Sequence, residues 1–208
     1  MIYLIGGPLK CGKTTLAKKL SKSRGIPWMS TDTLQNVIKP YMNKADFSKK
    51  FPTSHQRGKS NDEKYSKYSM EEIIEAYQQQ AKTVYEAIDM FTICEITDGN
   101  DFIVEGYHVE PELVADLNSK YPNKVKSVFL IKSDEEKFVA DIEKTTTPND
   151  WIIARTDREA TYKKIAKMIC EYGKSFEKKS KKHGFKVLNM DDDFDNQISE
   201  AIEYLTTV

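Results

Sequence analysis

Gly7-Pro8-Leu9-Lys10-Cys11-Gly12-Lys13-Thr14 matches the phosphate-binding pattern G-x-x-x-x-G-K-[ST] at every specified position. Glycines let such a loop wrap a chain of phosphates, because they tolerate dihedral angles that a side chain forbids. The loop N–H groups then point inward, and the helix expected to begin at Lys13 adds the positive end of its dipole. The pattern predicts that Lys13 reaches the β- and γ-phosphates of a nucleotide and that the Thr14 hydroxyl holds Mg²⁺.

The residues on either side of this loop fit the same interpretation. Residues 1–5 form a short apolar run that is typical of a buried parallel strand. After the loop, Leu16, Ala17 and Leu20 share one helical face, and Gly25 is a helix stop. Strand, loop and helix follow in the required order, which disfavours the alternative of a chance glycine turn.

The rest of the chain alternates between strand and helix patterns. Strands are predicted at 26–30, 101–106, 125–131 and 185–190. Helices are predicted at 71–94, 111–119, 134–143, 157–182 and 194–206. This alternation predicts one α/β domain over residues 1–208, a three-layer α/β/α fold around a five-stranded parallel sheet. Two polar segments interrupt the alternation and are predicted to be an acceptor-binding insertion, 43–69, and a lid, 144–155.

Composition limits the possible partners. The chain has 208 residues, with 32 Lys plus Arg and 32 Asp plus Glu, so its formal net charge is zero. This balance gives no reason to expect nucleic-acid or membrane binding, and any basic site must be local. The three cysteines form no C-x-x-C pair, which is typical of a reducing compartment. With no leader pattern and no apolar run of about 20 residues, a soluble, cytoplasmic protein is expected. The sequence does not determine the oligomeric state.

Several of these features together resemble the P-loop small-molecule kinases, which include adenylate, shikimate and gluconate kinases. They are the early P-loop, an Asp after the second strand, and an arginine-bearing segment late in the chain. Two stretches, Ser30-Thr31-Asp32 and Val104-Glu105-Gly106-Tyr107-His108, are similar to segments of 2-phosphoglycerate kinase-like proteins and phosphotransferase toxins. The resemblance implies a P-loop fold, ATP and Mg²⁺ as cofactors, and phosphoryl transfer to a small molecule.

Asp32 is the candidate base. Its position after the second strand, at the carboxyl edge of the sheet, would let it face the γ-phosphate and accept the proton of an acceptor hydroxyl. The resemblance implies a contact with that hydroxyl. Asp32 and Gln35 also have the spacing of a helix capping box, and both roles remain open at this point.

Glu105 ends an apolar strand and precedes a glycine. It could hold waters on Mg²⁺, bind the substrate, or be a structural strand-end acid.

Arg155 and Arg158 follow the predicted lid, and the resemblance implies that lid closure brings Arg155 to the transferring phosphoryl group. The alternative for both arginines is an ordinary surface charge.

The remaining candidate residues concern the phosphoryl acceptor and the nucleotide. His108 and Arg57 are candidate contacts to the acceptor, and a structural role is the alternative for each. The resemblance places the adenine ring near 189–193. The residues predicted to bind the nucleotide are Gly7, Pro8, Lys10, Cys11, Gly12, Lys13, Thr14, Thr15, Arg155 and Arg158.

Together these features predict an ATP-dependent kinase that phosphorylates a small, anionic, hydroxyl-bearing metabolite. One alternative is a kinase for nucleosides, nucleotides or nucleic-acid ends, for which the lysine-rich stretch 163–186 is a partial argument. Another is a nucleotide-binding module without catalysis. The candidate base and the lid arginines disfavour it, since a pure binder has no use for them.

Overall fold

A computed structural model describes residues 1–144 and 150–207. Its centre is a five-stranded sheet with the strand order β2-β3-β1-β4-β5, and every neighbouring pair is parallel. The predicted parallel sheet is therefore confirmed. The strands are β1 (Ile2–Gly6), β2 (Trp28–Ser30), β3 (Phe102–Glu105), β4 (Val125–Ile131) and β5 (Lys186–Asn189).

Helices cover both faces of this sheet and account for most of the described residues. The ten α-helices of the described part are α1 (Lys13–Arg24), α2 (Thr31–Ile38), α3 (Lys44–Lys50), α4 (Pro52–His55), α5 (Asn61–Lys67), α6 (Met70–Thr97), α7 (Pro111–Lys120), α8 (Glu135–Glu143), α9 (Glu159–Lys182) and α10 (Phe194–Thr206). Short 3-10 helices follow α2 at Lys39–Tyr41 and precede α9 at Ile153–Arg155. Each longer helix predicted from the sequence is present within a few residues of its predicted bounds.

Strand β1 is the middle of the sheet, and all five of its residues are buried. It pairs with β3 on one side and β4 on the other, so that Leu4 lies opposite both Val104 and Ser127. Because every strand runs in the same direction, all carboxyl ends meet at one edge of the sheet. The loops that follow them form the crevice where ligands bind in such sheets.

The long helices α6 and α9 are amphipathic. In α9, Ile165, Ile169, Tyr172 and Phe176 are fully buried, at a spacing that places them on one face of the helix. The opposite face carries charged residues that contact solvent. None of the described helices has both the length and the apolar character needed to cross a membrane.

Segment 43–69 differs from the irregular polar loop that its composition suggests, because it folds into α3, α4 and α5. Its aromatic residues are the reason: Phe51 is fully buried and Tyr65 almost so. Side chains of α6 fasten the segment further, since Gln79 donates to the carbonyl of Lys49 at 2.8 Å and Thr83 donates to the carbonyl of Lys50 at 2.9 Å. Of the predicted lid, residues 145–149 lie outside the described residues.

Replacing Phe51 tests whether the insertion is anchored as a packed unit. We expect Phe51→Ala to lower the free energy of unfolding by about 3–5 kcal/mol, as for other fully buried phenylalanines. Phe47→Ala is the matched control, since Phe47 touches the same ring but is only half-buried. Urea denaturation measures both, and an equal small loss for the two variants would show that the insertion is loosely attached.

Candidate active site

A cleft of about 770 Å³ lies at the carboxyl edge of the sheet. The loop after β1, the start of α2 and the end of β3 form one side of it. The segment around α8 and the loop after β5 form the other. The cleft contains most of the residues predicted from the sequence to bind the nucleotide or its metal, namely Lys10, Gly12, Lys13, Thr14, Thr15 and Glu105, and it contains the predicted base Asp32.

The P-loop backbone requires its glycines. Gly7 and Gly12 have φ values of +130° and +88°. A Cβ on Gly7 would lie 2.0 Å from the carbonyl oxygen of Leu130, and one on Gly12 would lie 2.7 Å from the Phe194 ring. Cys11 is fully buried behind the loop, and burial raises the pKa of its thiol to about 11. Cys11 therefore fills space behind the loop as a protonated thiol.

Lys13 lies over the loop at the start of α1. Its ammonium donates to the carbonyl of Pro8, and its side chain is almost completely enclosed. The positive charge also acts on two carboxylates across the cleft, since Lys13 lowers the pKa of both Asp32 and Glu105 against the effect of burial. Lys13 is thus the cation that links the P-loop to the acidic side of the cleft.

The side-chain oxygens of Thr14 and Glu105 lie next to each other beside the P-loop. The Thr14 hydroxyl donates to Glu105 Oε1 at 3.0 Å, and Glu105 is only 3% exposed. Burial raises the pKa of Glu105, while Lys13 and the Thr14 hydrogen bond oppose this rise. A hydroxyl and a carboxylate suit Mg²⁺, which binds few protein oxygens and takes its other ligands from phosphates and water. Within the described residues, no group of three or more His, Cys, Asp or Glu forms a metal site of its own.

Asp32 points into the cleft and does not cap its helix. The cap of α2 is Ser30, whose hydroxyl accepts from the Asp32 backbone N–H at 3.2 Å. The Asp32 side chain remains 64% exposed at the open cleft. The surrounding protein still raises its pKa by desolvation, against the charges of Lys13 and Lys39. The capping-box interpretation of Asp32 is therefore wrong, because the helix begins two residues earlier than that spacing assumed.

His108 is fully buried and does not line the cleft, contrary to the prediction of an acceptor contact. Its Nδ1 accepts from the Thr31 hydroxyl at 2.8 Å, and its Nε2 donates to Gln35 Oε1 at 2.8 Å. Burial lowers the pKa of the imidazole to about 3, so the ring is neutral. Both nitrogens are occupied, which leaves none for an acceptor molecule.

Two ion pairs lie along the cleft. Lys10 in the P-loop contacts Asp150, which is buried at the start of the segment that precedes α9. Lys132, directly after β4, contacts Asp141 of α8. The Asn61 side chain of the insertion then donates to the carbonyl of Trp151 at 3.1 Å. The P-loop, the described part of the predicted lid and the insertion are thus in direct contact.

The structure does not bring the three predicted arginines to the cleft. Arg155 donates to the backbone carbonyls of Arg57 and Gly58, at 3.2 Å and 2.7 Å. Arg57 is exposed on the insertion, and Arg158 is the exposed residue that precedes α9. None of these side chains lines the cleft, so the approach of Arg155 to a phosphoryl group on lid closure stays a prediction.

Sequence reasoning missed several residues of the cleft. Lys132 and Asp141 are examples, although Lys132 follows β4 directly and its place at the sheet edge was a usable signal. Lys18 was missed because it shares a helix with many other lysines. The apolar side chains that line the cleft come from distant segments: Leu9, Phe138, Ile142, Trp151, Met190 and Phe194. Met190 falls in the segment 189–193 that was predicted to lie beside the adenine ring.

Comparison with solved structures shows which class this fold belongs to. The chain is similar to a gluconokinase from Sinorhizobium meliloti 1021, with a TM-score of 0.54, 11% identity, and 98% of this chain and 90% of that chain covered. It is similar to deoxyadenosine kinase from M. mycoides with bound dATP, with a TM-score of 0.52, 12% identity and full coverage of both chains. Shikimate kinase from Bacteroides thetaiotaomicron matches with a TM-score of 0.51, 13% identity, and 98% and 94% coverage.

These likenesses confirm the fold inferred from the sequence, which is that of the P-loop small-molecule kinases. No protein-family model matches the chain. Among curated proteins, it is 24% identical over 134 residues to an uncharacterized protein of Dictyostelium discoideum. That match spans 63% of this chain but only 16% of the length of the Dictyostelium protein.

The buried, neutral His108 predicts a pH dependence of stability. Its pKa is about 3 in the folded protein and near 6.5 when unfolded, so the unfolded chain binds the extra proton between these values. The free energy of unfolding should therefore fall as the pH drops below about 6.5, by at most about 1.4 kcal/mol per pH unit from this group. Urea denaturation between about pH 7 and pH 5 should show a shallower dependence in His108→Asn.

The exposed His183 provides the control for this experiment. His183→Asn should keep the pH dependence of the wild-type protein. The carboxyls of Asp32, Glu105 and Glu110 have raised pKa values and act in the opposite direction, but they are common to the wild type and both variants. Equal slopes for wild type and His108→Asn would contradict a neutral, buried imidazole.

Proposed function

We propose that this protein is an ATP-dependent kinase that transfers the γ-phosphoryl group to a small, anionic, hydroxyl-bearing molecule. The observation that carries the proposal is the convergence of Lys13, Thr14, Glu105 and Asp32 on one cleft at the carboxyl edge of the sheet. A phosphate-binding loop, a metal-binding oxygen pair and an accessible carboxylate are the parts that phosphoryl transfer requires. The kinase fold of the structural neighbours supports the same reaction class.

Each residue has a distinct role in this proposal. The P-loop N–H groups and Lys13 bind the nucleotide phosphates, and the apolar side chains that line the cleft contact the base. Thr14 and Glu105 would hold Mg²⁺, directly or through its waters, and the bound ion would supply positive charge to the nucleotide phosphates. Asp32 orients the acceptor hydroxyl and takes its proton, which its raised pKa favours.

An anionic acceptor is supported by four cations of the α2, insertion and lid segments that pair with no carboxylate among the described residues. Lys39, Arg57, Lys64 and Arg155 form no ion pair with any carboxylate of the described residues. Lys64 is only 6% exposed, and burial together with the Arg155 charge lowers its pKa to about 8. Burial lowers the pKa of Lys39, the charge of Asp32 opposes this, and the charge of Arg57 adds to it. An acceptor with a phosphate or carboxylate would relieve this repulsion.

A nucleoside acceptor is the second candidate, favoured by the likeness to deoxyadenosine kinase. Binding of nucleic-acid ends has less support, because lysines of α9 are paired with glutamates along the helix. Lys163 contacts Glu159 at 2.8 Å and Lys181 contacts Glu177 at 2.7 Å. Such pairs are typical of a solvated helix surface.

An ADP-release assay with Mg·ATP and a panel of acceptors tests the proposal. The panel contains 2- and 3-phosphoglycerate, gluconate, shikimate, deoxyadenosine and nucleoside monophosphates. We expect release that depends on one anionic acceptor and falls about 10²- to 10³-fold in Lys13→Ala, since that cation stabilises the charge of the transferring group. Lys22→Ala, an exposed lysine of the same helix, is the matched control. A binding module without catalysis would show a thermal shift with Mg·ATP and no acceptor-dependent release.

Asp32→Asn separates catalysis from folding. Because Ser30 caps α2, this change leaves the helix start intact and should hardly alter the melting temperature. Turnover of the acceptor should fall about 10²- to 10⁴-fold, the usual contribution of a general base. Full activity of Asp32→Asn would remove Asp32 from the mechanism, whereas lost stability with normal turnover would restore a structural role.

A further inference from the structure

A buried hydrogen-bond network lies beside Asp32 and has no role in the chemistry described above. It joins the start of α2, the insertion, helix α6 and the loop after β3, and it is centred on the side chain of Gln35. We call it the Gln35 network; its members are Thr31, Gln35, Thr53, Gln80, Tyr107 and His108.

The direction of every hydrogen bond in this network follows from one backbone group. The Thr53 backbone N–H contacts Gln80 Oε1 at 3.1 Å, and a backbone N–H can only donate. The Gln80 oxygen must therefore face Thr53, and its nitrogen must face Gln35 and Tyr107. That nitrogen donates to Gln35 Oε1 at 2.6 Å and to the Tyr107 hydroxyl at 2.8 Å.

The same reasoning fixes the amide of Gln35. Its oxygen accepts from Gln80, from the Tyr107 hydroxyl at 3.2 Å and from His108 Nε2 at 2.8 Å. Because the Gln35 oxygen faces His108 Nε2, that nitrogen carries the proton of the neutral ring, and Nδ1 accepts from the Thr31 hydroxyl. Rotating the Gln35 amide by half a turn would set its NH₂ group against the NH₂ group of Gln80, whose orientation is fixed by Thr53. The oxygen therefore stays on the buried side.

This arrangement leaves the Gln35 NH₂ group without a hydrogen-bond partner among the described residues. Gln35 as a whole is only 7% exposed, but its nitrogen is not one of the fully buried, unsatisfied atoms and so reaches solvent. An amide N–H in this position is free to donate to a ligand. Gln35 does not itself line the cleft, but Tyr107, to which it bonds, does, and Gln35 lies three residues after Asp32 on the same face of α2.

We propose that Gln35 binds the phosphoryl acceptor, and that its amide nitrogen donates to an acceptor oxygen next to the hydroxyl received by Asp32. The inference rests on the proposed kinase function and adds a specificity-determining residue to it. The ligand is defined by its chemistry: a molecule with a hydroxyl to be phosphorylated and a neighbouring hydroxyl, carbonyl or anionic oxygen. The network holds the donor in one orientation before the acceptor arrives.

Gln35→Glu is the sharpest test, because it keeps one oxygen for the three buried donors and replaces only the free nitrogen. With the acceptor that the panel identifies, KM for that acceptor should rise about 10- to 100-fold. KM for ATP should stay within about twofold, because the P-loop is untouched. Gln78→Glu is the matched control, since Gln78 lies on α6 and bonds Ser175 away from the cleft. If Gln35→Glu does not fold, Gln35→Asn replaces it, because the shorter side chain moves the nitrogen back by one methylene. This variant should also raise KM for the acceptor and leave KM for ATP unchanged.

The outcomes separate this inference from the proposed function. Unchanged KM for the acceptor in Gln35→Glu or Gln35→Asn overturns the role of Gln35 while the kinase assignment stands. Equal rises in KM for ATP and for the acceptor, together with a lowered melting temperature, also overturn it, because they indicate a purely structural residue. Wild-type protein without acceptor-dependent ADP release overturns the proposed function, and the inference falls with it.

Discussion

The P-loop keeps its shape because its backbone lies directly against strand β4 and the loop after β3. A Cβ on Gly7 would lie 2.0 Å from the Leu130 carbonyl oxygen, and one on Gly6 would lie 2.3 Å from the carbonyl oxygen of Val109. Only glycine permits such an approach, and the approach is possible only because β1 is the central strand, flanked by β3 and β4. The position of Lys13, and through it the electrostatics of the whole cleft, depends on this contact.

The charges of the cleft fall into two groups. Lys10 is paired with Asp150 of the segment that precedes α9, and Lys132 is paired with Asp141 of α8, so both of these lysines have a carboxylate partner. Among the described residues, Lys39, Arg57, Lys64 and Arg155 have no such partner, and burial lowers the pKa of Lys64 to about 8. This imbalance is the physical basis of the proposed anionic acceptor, because burying a cation without a counter-ion is unfavourable unless a ligand supplies the charge.

Asp32 and His108 are neighbours at the same edge of the sheet but differ in their exposure to solvent. The Asp32 carboxylate stands on the first turn of a capped helix and remains open to the cleft. His108, only 3.9 Å from it, is enclosed and neutral, and it orients Gln35 and Thr31. The carboxylate is therefore free to take part in chemistry, whereas the imidazole shapes the wall behind it.

The sequence by itself determined the strand–loop–helix start, the five parallel strands, the longer helices, and the presence of Lys13, Thr14, Asp32 and Glu105 at one edge. These features follow from local patterns, namely apolar runs, helical periodicity and a phosphate-binding motif, together with the rule that parallel strands end at the same edge.

Only the tertiary structure decided the rest. It enclosed His108, turned Arg155 toward the backbone of the insertion, paired Lys10 with Asp150, and made Gln35 the centre of a network. These outcomes depend on which distant segments pack together, and burial and hydrogen-bond partners from elsewhere in the chain leave no trace in local residue spacing.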